Sequence, residues 1–316
     1  MTSDKWQCNT VVTLPSVTCH LSPVTSSIAD YFTLLKPGVM SLVVFTGATG
    51  LWLAPIHIHP FLQIIAILCI ALASGAGAAI NMYYDHDIDA LMKRTASRPI
   101  PAGRIAKDDA LALGLMLSVT SVGLMGLALN WVAAAWLAFA IFFYAVIYTM
   151  LLKRATPHNI VIGGAAGAFP AVIGWAAATG DAWAITPWLL FLIVFIWTPS
   201  HFWALALYRH DDYAKANVPM LPVTHGLTRT KREIFIYSLL LAVSSLSPLW
   251  LSEVGMVYGV VAAALGVNYL FHAWRVLRLD IPKDAMRLFG FSILYLFILF
   301  GALLVDRLIA PLLISG

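Results

Sequence analysis

Charge is scarce in this chain. Of its 316 residues, 11% are charged and 61% are hydrophobic. Water-soluble domains carry about 25% charged and about 45–50% apolar residues. A soluble core cannot bury such an excess of apolar side chains, so the composition excludes an ordinary soluble globular protein. It indicates an integral membrane protein.

Cysteine is scarce as well: the chain has three, without a CxxC motif or a Cys/His cluster. Neither a disulfide framework nor a zinc site is therefore supported. The first 35 or so residues also lack a basic segment followed by an apolar run, and they are not rich in arginine. We therefore expect neither a cleaved signal nor a mitochondrial transit peptide. Residues 1–35 are expected to form a cytoplasmic tail, partly disordered and helical near 28–35.

Long apolar stretches, in contrast, are abundant. A membrane-spanning helix needs about 20 mostly apolar residues. Nine segments qualify: 38–55, 60–82, 109–128, 131–150, 158–178, 185–207, 233–252, 255–274 and 288–311. The sequence therefore predicts an all-α integral membrane fold with nine transmembrane helices, in one domain from residue 36 to 316.

The positions of the basic residues support this count. Of 19 Lys and Arg residues, 18 lie in the N-terminal tail or in the connections that follow the second, fourth, sixth and eighth predicted helices. The exception is Arg307. Basic loops face the cytoplasm, which places the N-terminus there and the C-terminus across the membrane. The same rule explains the net charge of +4 without a nucleic-acid partner. Two basic connections, 83–108 and 208–232, exceed the length of a turn and are predicted to form functional cytoplasmic caps.

The first cap begins with oxygen-bearing side chains at a spacing of four. Asn81, Asp85 and Asp89 would share one face of a helix. Oxygen ligands favour Mg²⁺, which is usually held by one or two carboxylates together with substrate phosphate. Arg94 and Arg98 follow, and guanidinium groups bind phosphate through two hydrogen bonds. This pattern indicates a diphosphate site, and the alternative is a solvated helix end with internal ion pairs.

The second cap is less specific. Asp211 and Asp212 are flanked by Arg209 and Lys215. An acidic side chain of this cap that faced the first cap would hold a second Mg²⁺. Acidic pairs are common in loops, however, so the pair alone is weak evidence for a metal site. His201 lies inside the sixth predicted helix. It is either a hydrogen-bonded core residue or a ligand.

Three stretches together carry a resemblance to a known family. They are "NMYYDHDIDALMKRTASRPIPAGRI", "YTMLLKRATPHNIVIGGAAGAFPAVIGWAAATG" and "TPSHFWALALYRHDDYAKANVPMLPVTHG". From about Tyr31 to the C-terminus the chain resembles the UbiA-type intramembrane prenyltransferases. The ending "RTASRPIPAG" and the stretch "TPSHFWALAL" are similar to the subfamily that attaches a farnesyl group to heme B.

The resemblance implies nine helices around a central cavity and assigns roles to residues of both caps. The implied catalytic residues are Asp85, Asp89, Arg94 and Arg98. The implied Mg²⁺ ligands are Asn81, Asp85, Asp89 and Asp212. The implied substrate-binding residues are Asn81, Lys153, Arg154, His201, Arg209 and Tyr213. The chain departs from the wider superfamily in the second cap. There it offers Asp211–Lys215 and Asp212–Ala216 where many members have DxxxD.

The implied reaction joins farnesyl diphosphate and water to a vinyl group of heme B, and diphosphate leaves. The expected partners are farnesyl diphosphate, heme B and membrane lipid, with a heme A synthase or a terminal oxidase assembly downstream. The expected location is a bacterial cell inner membrane. One alternative is a prenyltransferase acting on an aromatic quinone precursor. Another is a membrane transporter, which would place charges at mid-membrane, whereas these charges cluster at helix ends.

Overall fold

The described part of the chain is built from helices. A computed structural model describes residues 26–250, 254–279 and 282–314, and no strand occurs in these ranges. The helices are α1 Ile28–Leu34, α2 Pro37–Leu53, α3 Pro60–Tyr84, α4 His86–Leu91, α5 Lys107–Ala128, α6 Trp131–Phe142, α7 Asn159–Gly163, α8 Ala165–Thr179, α9 Ile185–Tyr208, α10 His210–Lys215, α11 Leu221–Ser244, α12 Met256–Arg278 and α13 Pro282–Ile314. Helix α6 continues as a π-helix over Phe143–Leu152, and a 3₁₀ turn at Ser247–Trp250 follows α11. Residues 1–25 of the expected tail lie outside the described residues.

The membrane spans agree with the nine predicted from hydropathy. In the described ranges, eight helical segments are long and apolar enough to cross a membrane. Helices α1 and α2, bent by 54°, supply a ninth if they form one broken span. The bend has a local cause. Lys36 has a left-handed backbone with a φ of 51°, and Pro37 starts the next helix without a donor N–H. The prediction of an all-α fold with nine spans is therefore confirmed.

The boundaries of the second cap differ from the prediction. Helix α11 begins at Leu221, well before the predicted start at residue 233. Its first half reads "LPVTHGLTRTKRE", which is too polar for a hydropathy window to recognise. Pro222 in the first turn favours helix initiation, and Gly226, with a φ of 80°, kinks the helix. Much of the cap 208–232 is thus helical.

Small residues bring α2 and α8 into close contact. A Cβ atom on Gly174 would lie 1.9 Å from the carbonyl oxygen of Gly47. A Cβ atom on Gly50 would lie 2.0 Å from the carbonyl oxygen of Ala171. Both distances are far below van der Waals contact, so only glycine permits this approach. Glycines of this kind are typical of helix packing in membranes.

A small apolar cluster joins the two caps. Ile88 and Met92 of the first cap pack with Tyr213, Val218 and Met220 of the second. All five side chains are buried. Their contact fixes the acidic end of α3 against α10, over the same end of the helical bundle.

Candidate active site

A cavity of about 510 Å³ opens among the spans. Most of its wall is apolar, contributed by side chains such as Val43, Ile70, Leu137, Ile173 and Leu296. One group of lining residues is polar or charged: Lys36, Asn81, Asp89, Arg94, Arg98 and Lys153. These residues belong to the ends of α2 and α3, to the first cap and to the connection after the π-helix. The cavity therefore combines an apolar chamber with one predominantly cationic end.

Asn81 and Asp85 form the buried polar centre of that end. Asn81 Nδ2 donates to Asp85 Oδ2 at 2.7 Å and to Thr149 Oγ1 at 3.1 Å. Asn81 Oδ1 accepts from Lys36 Nζ at 2.6 Å. Asp85 is fully buried and accepts a hydrogen bond from Lys153 Nζ. Two lysines distant in sequence thus meet at one asparagine–aspartate pair.

The helix that carries the acidic residues is interrupted at Asp85. This residue separates α3 from α4, with a φ of −92° and a ψ of 7°. The backbone nevertheless keeps the helical bond pattern: Asp85 N donates to Asn81 O at 2.9 Å, and Asp89 N donates to Asp85 O at 2.8 Å. The shared face that the spacing predicts for Asn81, Asp85 and Asp89 therefore survives the interruption.

Asp89 is neutralised by an arginine of its own cap. Asp89 is buried, and Arg98 Nη1 donates to its Oδ2 at 2.5 Å. Thr95 Oγ1 donates to the Asp89 carbonyl oxygen at 2.9 Å, and this bond stabilises the turn between Asp89 and Thr95. Arg94 also lines the cavity, and no carboxylate of the described residues forms an ion pair with it. Arg94 is therefore the guanidinium most available to an anionic ligand.

Arg154 lies beside the cavity rather than in its wall. Its Nη1 and Nη2 donate to Asp87 at 2.7 and 2.6 Å, and its guanidinium lies 4.9 Å from the Tyr84 ring centre. Hydrogen bonds from Arg154 lower the pKa of Asp87 to about 2. Arg154 also lies 3.5 Å from Asp85 Oδ1. Arg154 therefore neutralises the acidic end from outside.

The second cap has one buried and one exposed carboxylate. Asp212 is buried, whereas Asp211 is exposed. Arg209 Nη1 lies 3.9 Å from Asp212 Oδ2, and the Arg209 guanidinium lies over the Tyr208 ring at 5.2 Å. Arg209 and Asp212 do not line the cavity, whereas the buried Tyr213 does.

The donor set suits a Mg²⁺ ion held partly by substrate. Asp85 Oδ1 and Asp212 Oδ2 are buried oxygens without a hydrogen-bond partner in the described structure. However, the described residues contain no group of three or more His, Cys, Asp or Glu side chains that could hold a metal ion by themselves. Mg²⁺ commonly takes only one or two carboxylates and completes its shell with phosphate oxygens and water. Asp85 Oδ1 fits that mode of binding, since Asp85 is hydrogen-bonded to the cavity-lining Asn81, whereas Asp212 lies outside the cavity wall.

His201 of α9 lines the cavity among aromatic side chains. Its ring stacks on Trp197 and Phe289, with centroid distances of 4.2 and 4.5 Å. Its Nδ1 lies 2.6 Å from Ser292 Oγ. His201 is thus hydrogen-bonded, as a core residue would be, and it also lines the cavity, so its role as a ligand stays a prediction.

Three cavity residues were missed by the sequence analysis. Lys36 was assigned no role at the site, although it directly precedes Pro37–Gly38 at the start of a span. Tyr144 and Tyr148, four residues apart, stack with centroids 5.6 Å apart and line the cavity. They lie on the π-helix, and π-helical turns are frequent at functional sites.

Known proteins are similar to this chain over most of its length. A protoheme IX farnesyltransferase of Rhizobium rhizogenes is 57% identical over 291 residues, which cover 91% of each chain. A protein of the same name from Granulibacter bethesdensis is 56% identical and covers 91% of this chain and 93% of its own.

Solved structures share the fold at lower identity. A digeranylgeranylglyceryl phosphate synthase has a TM-score of 0.72 at 18% identity, covering 88% of this chain and 98% of its own. A UbiA homolog from Archaeoglobus fulgidus, bound to DMAPP and Mg²⁺, has a TM-score of 0.63 at 18% identity, covering 86% and 99%. The model of the UbiA prenyltransferase family matches residues 43–303. The chain therefore belongs to the UbiA prenyltransferase family.

Proposed function

We propose that this prenyltransferase joins the C15 group of farnesyl diphosphate to a vinyl group of heme B. One water molecule is added, the hydroxyethylfarnesyl side chain of heme O forms, and diphosphate leaves. The proposal draws on relatives named protoheme IX farnesyltransferase that are 56–58% identical over about nine-tenths of this chain. The single structural observation that carries it is the apolar cavity with a cationic end.

The apolar chamber suits a C15 chain and the reaction it must undergo. Breaking an allylic C–O bond leaves positive charge on the prenyl fragment and negative charge on the diphosphate. Walls such as Ile70, Leu137 and Ile173 bind the prenyl tail and exclude bulk water, which would otherwise quench the cation early. Tyr144 and Tyr148, whose rings stack on each other, line the same cavity and add electron-rich aromatic groups to it.

The cationic end binds the diphosphate. Arg94 and Arg98 offer forked donors, and Lys36 and Lys153 add two ammonium groups. Arg98 and Lys153 hydrogen-bond to Asp89 and Asp85. These bonds orient the two cationic groups, which can then stabilise charge as it develops on the leaving group.

Mg²⁺ completes this end of the site. The residues that would hold it are Asn81, Asp85, Asp89 and Asp212. When bound, Mg²⁺ supplies positive charge to the departing diphosphate. Arg154 and Arg209 support the same residues electrostatically, since each lies within 4 Å of a buried carboxylate oxygen.

Heme B is assigned to the part of the cavity lined by His201 and Tyr213. A heme needs an apolar slot and an axial ligand, and an imidazole can supply that ligand. His201 is flanked by Trp197, Phe202 and Phe289, which provide flat apolar surface.

We further propose that the chain lies in a bacterial cell inner membrane with its charged end in the cytoplasm. The caps 83–108 and 208–232 carry ten of its 19 Lys and Arg residues. The product would be used by a heme A synthase or a terminal oxidase assembly.

The test is an assay of the purified chain with heme B, farnesyl diphosphate and Mg²⁺, followed by mass spectrometry of the extracted heme. We expect a mass gain equal to one farnesyl group plus one hydroxyl group, since the second hydrogen of the water leaves as a proton. EDTA and the substitution Asp85→Ala should each abolish it. Unchanged heme from protein that prenylates an aromatic acceptor would overturn the heme assignment and favour the quinone-precursor alternative.

A further inference from the structure

His201 is held rigidly from three sides. Trp197 and Phe289 cover the two faces of its ring at interplanar angles of 18° and 22°. Ser292 of α13 contacts the ring edge at Nδ1. The backbone carbonyl of Ser292 also accepts from Trp197 Nε1 at 2.8 Å. One residue of α13 thus anchors two rings of α9.

The Ser292 hydroxyl defines the tautomer of His201. Ser292 Oγ lies 2.6 Å from the carbonyl oxygen of Phe289 and 2.6 Å from His201 Nδ1. The carbonyl can only accept, so the single hydroxyl proton of Ser292 points to Phe289. Ser292 Oγ must then accept a proton from Nδ1. His201 is therefore the tautomer with hydrogen on Nδ1 and a lone pair on Nε2.

The lone pair lies on Nε2, the ring nitrogen that does not contact Ser292. His201 contributes to the cavity wall while Nδ1 is turned to α13. No side chain of the described residues hydrogen-bonds to Nε2, which is also absent from the fully enclosed polar atoms that lack a partner. A metal-binding histidine almost always donates its other N–H to a neighbouring acceptor. The geometry at His201 is of this kind.

We propose that Ser292 is a positioning residue that holds His201 in the tautomer whose Nε2 binds the iron of the heme substrate. This inference rests on the proposed function, because it assumes that heme enters the cavity. Ser292 itself touches neither the iron nor the reacting vinyl group. It acts by fixing both the proton and the orientation of the imidazole.

The test compares Ser292→Ala with Ser292→Thr in the full-length chain, purified in detergent. Ferric heme and metal-free protoporphyrin IX are each titrated and followed by absorption spectroscopy. Ser292→Ala should weaken ferric heme binding by about tenfold to a hundredfold, the usual effect of losing such an acceptor. It should also shift the spectrum away from the histidine-ligated form. Metal-free porphyrin should bind as in the wild type, and Ser292→Thr, which keeps the hydroxyl, should restore both readouts.

Metal-free porphyrin distinguishes a loss of iron ligation from a change in the packing of the porphyrin pocket. Equal loss of both porphyrins in Ser292→Ala would show a merely structural role and overturn the inference. Wild-type heme affinity and spectrum in Ser292→Ala, or a histidine-ligated spectrum in His201→Ala, would also overturn it. If the wild type makes farnesylated heme while Ser292→Ala keeps its spectrum, only this inference fails. If the wild type binds no heme, the proposed function fails with it.

Discussion

Lys36 shows how much of the site depends on a single side chain at a helix junction. It has a left-handed backbone, which is uncommon for a residue other than glycine. This conformation turns the chain between α1 and α2, and the Lys36 ammonium reaches Asn81 at 2.6 Å. It thereby brings a positive charge to the cationic end of the cavity, where we propose that the diphosphate binds.

Replacing Lys36 by methionine should therefore weaken diphosphate binding. The substitution keeps an unbranched side chain, one atom shorter, and removes its charge. A hydrogen bond to a charged group contributes about 1.5–3 kcal/mol, so we expect KM for farnesyl diphosphate to rise roughly tenfold to a hundredfold. Lys36→Arg should recover most of the affinity. The matched control is Lys107→Met, an exposed lysine outside the cavity, and an equal effect there would argue against the assignment.

At the residue scale, sequence reasoning succeeds where the partners are close along the chain. Asn81, Asp85 and Asp89 are close in sequence, so their spacing alone predicts that they share one face of a helix. In contrast, Lys36 meets Asn81 across 45 residues, and His201 meets Ser292 across 91. Neither pairing follows from periodicity. Both depend on which helices pack together.

At the scale of the helices, too, the sequence predicts the features that are local and misses the others. The spans could be predicted because apolar length is a property of each segment alone. The early start of α11 could not, since its first turns are polar. The π-helix after α6 was missed for another reason: its apolar sequence is equally compatible with an α-helix.

A glycine contact between α2 and α8 carries the next prediction. Gly174→Ala would place a methyl group 1.9 Å from the carbonyl oxygen of Gly47. Backbone cannot move aside as a flexible side chain can, so the helices must separate. Overpacking of this kind costs about 1–3 kcal/mol or more. We expect a clear fall in the midpoint of thermal unfolding, measured in detergent, with reduced activity because both helices line the cavity.

Gly123 of α5 is the matched control for this substitution. A Cβ atom there would meet nothing within 4 Å. Gly123→Ala should therefore leave the unfolding midpoint unchanged or raise it slightly, since alanine is the better helix former. Equal destabilisation by both substitutions would contradict the role assigned to the α2–α8 contact.

On the scale of the whole molecule, the two caps meet at one end of the bundle. Ile88 and Met92 pack against Tyr213, and this contact brings both acidic segments over the cavity. The charged end and the apolar chamber are thus two parts of one site. A prenyl diphosphate has the same division between a charged head and an apolar tail.

The orientation of the bundle gives the last prediction. The turn 54–59 connects α2 to α3. Because successive spans cross the membrane in alternating directions, we expect this turn on the membrane side opposite the basic caps. His57 in this turn and Lys107 at the start of α5 are both exposed. In a background with Cys8 and Cys19 replaced by serine, His57→Cys should react with a membrane-impermeant maleimide applied to intact bacterial spheroplasts. Lys107→Cys should react only after permeabilisation. The buried Cys69 should remain unlabelled in both cases. The reverse pattern would place the diphosphate end of the cavity outside the cytoplasm, where the positive-inside rule does not allow it.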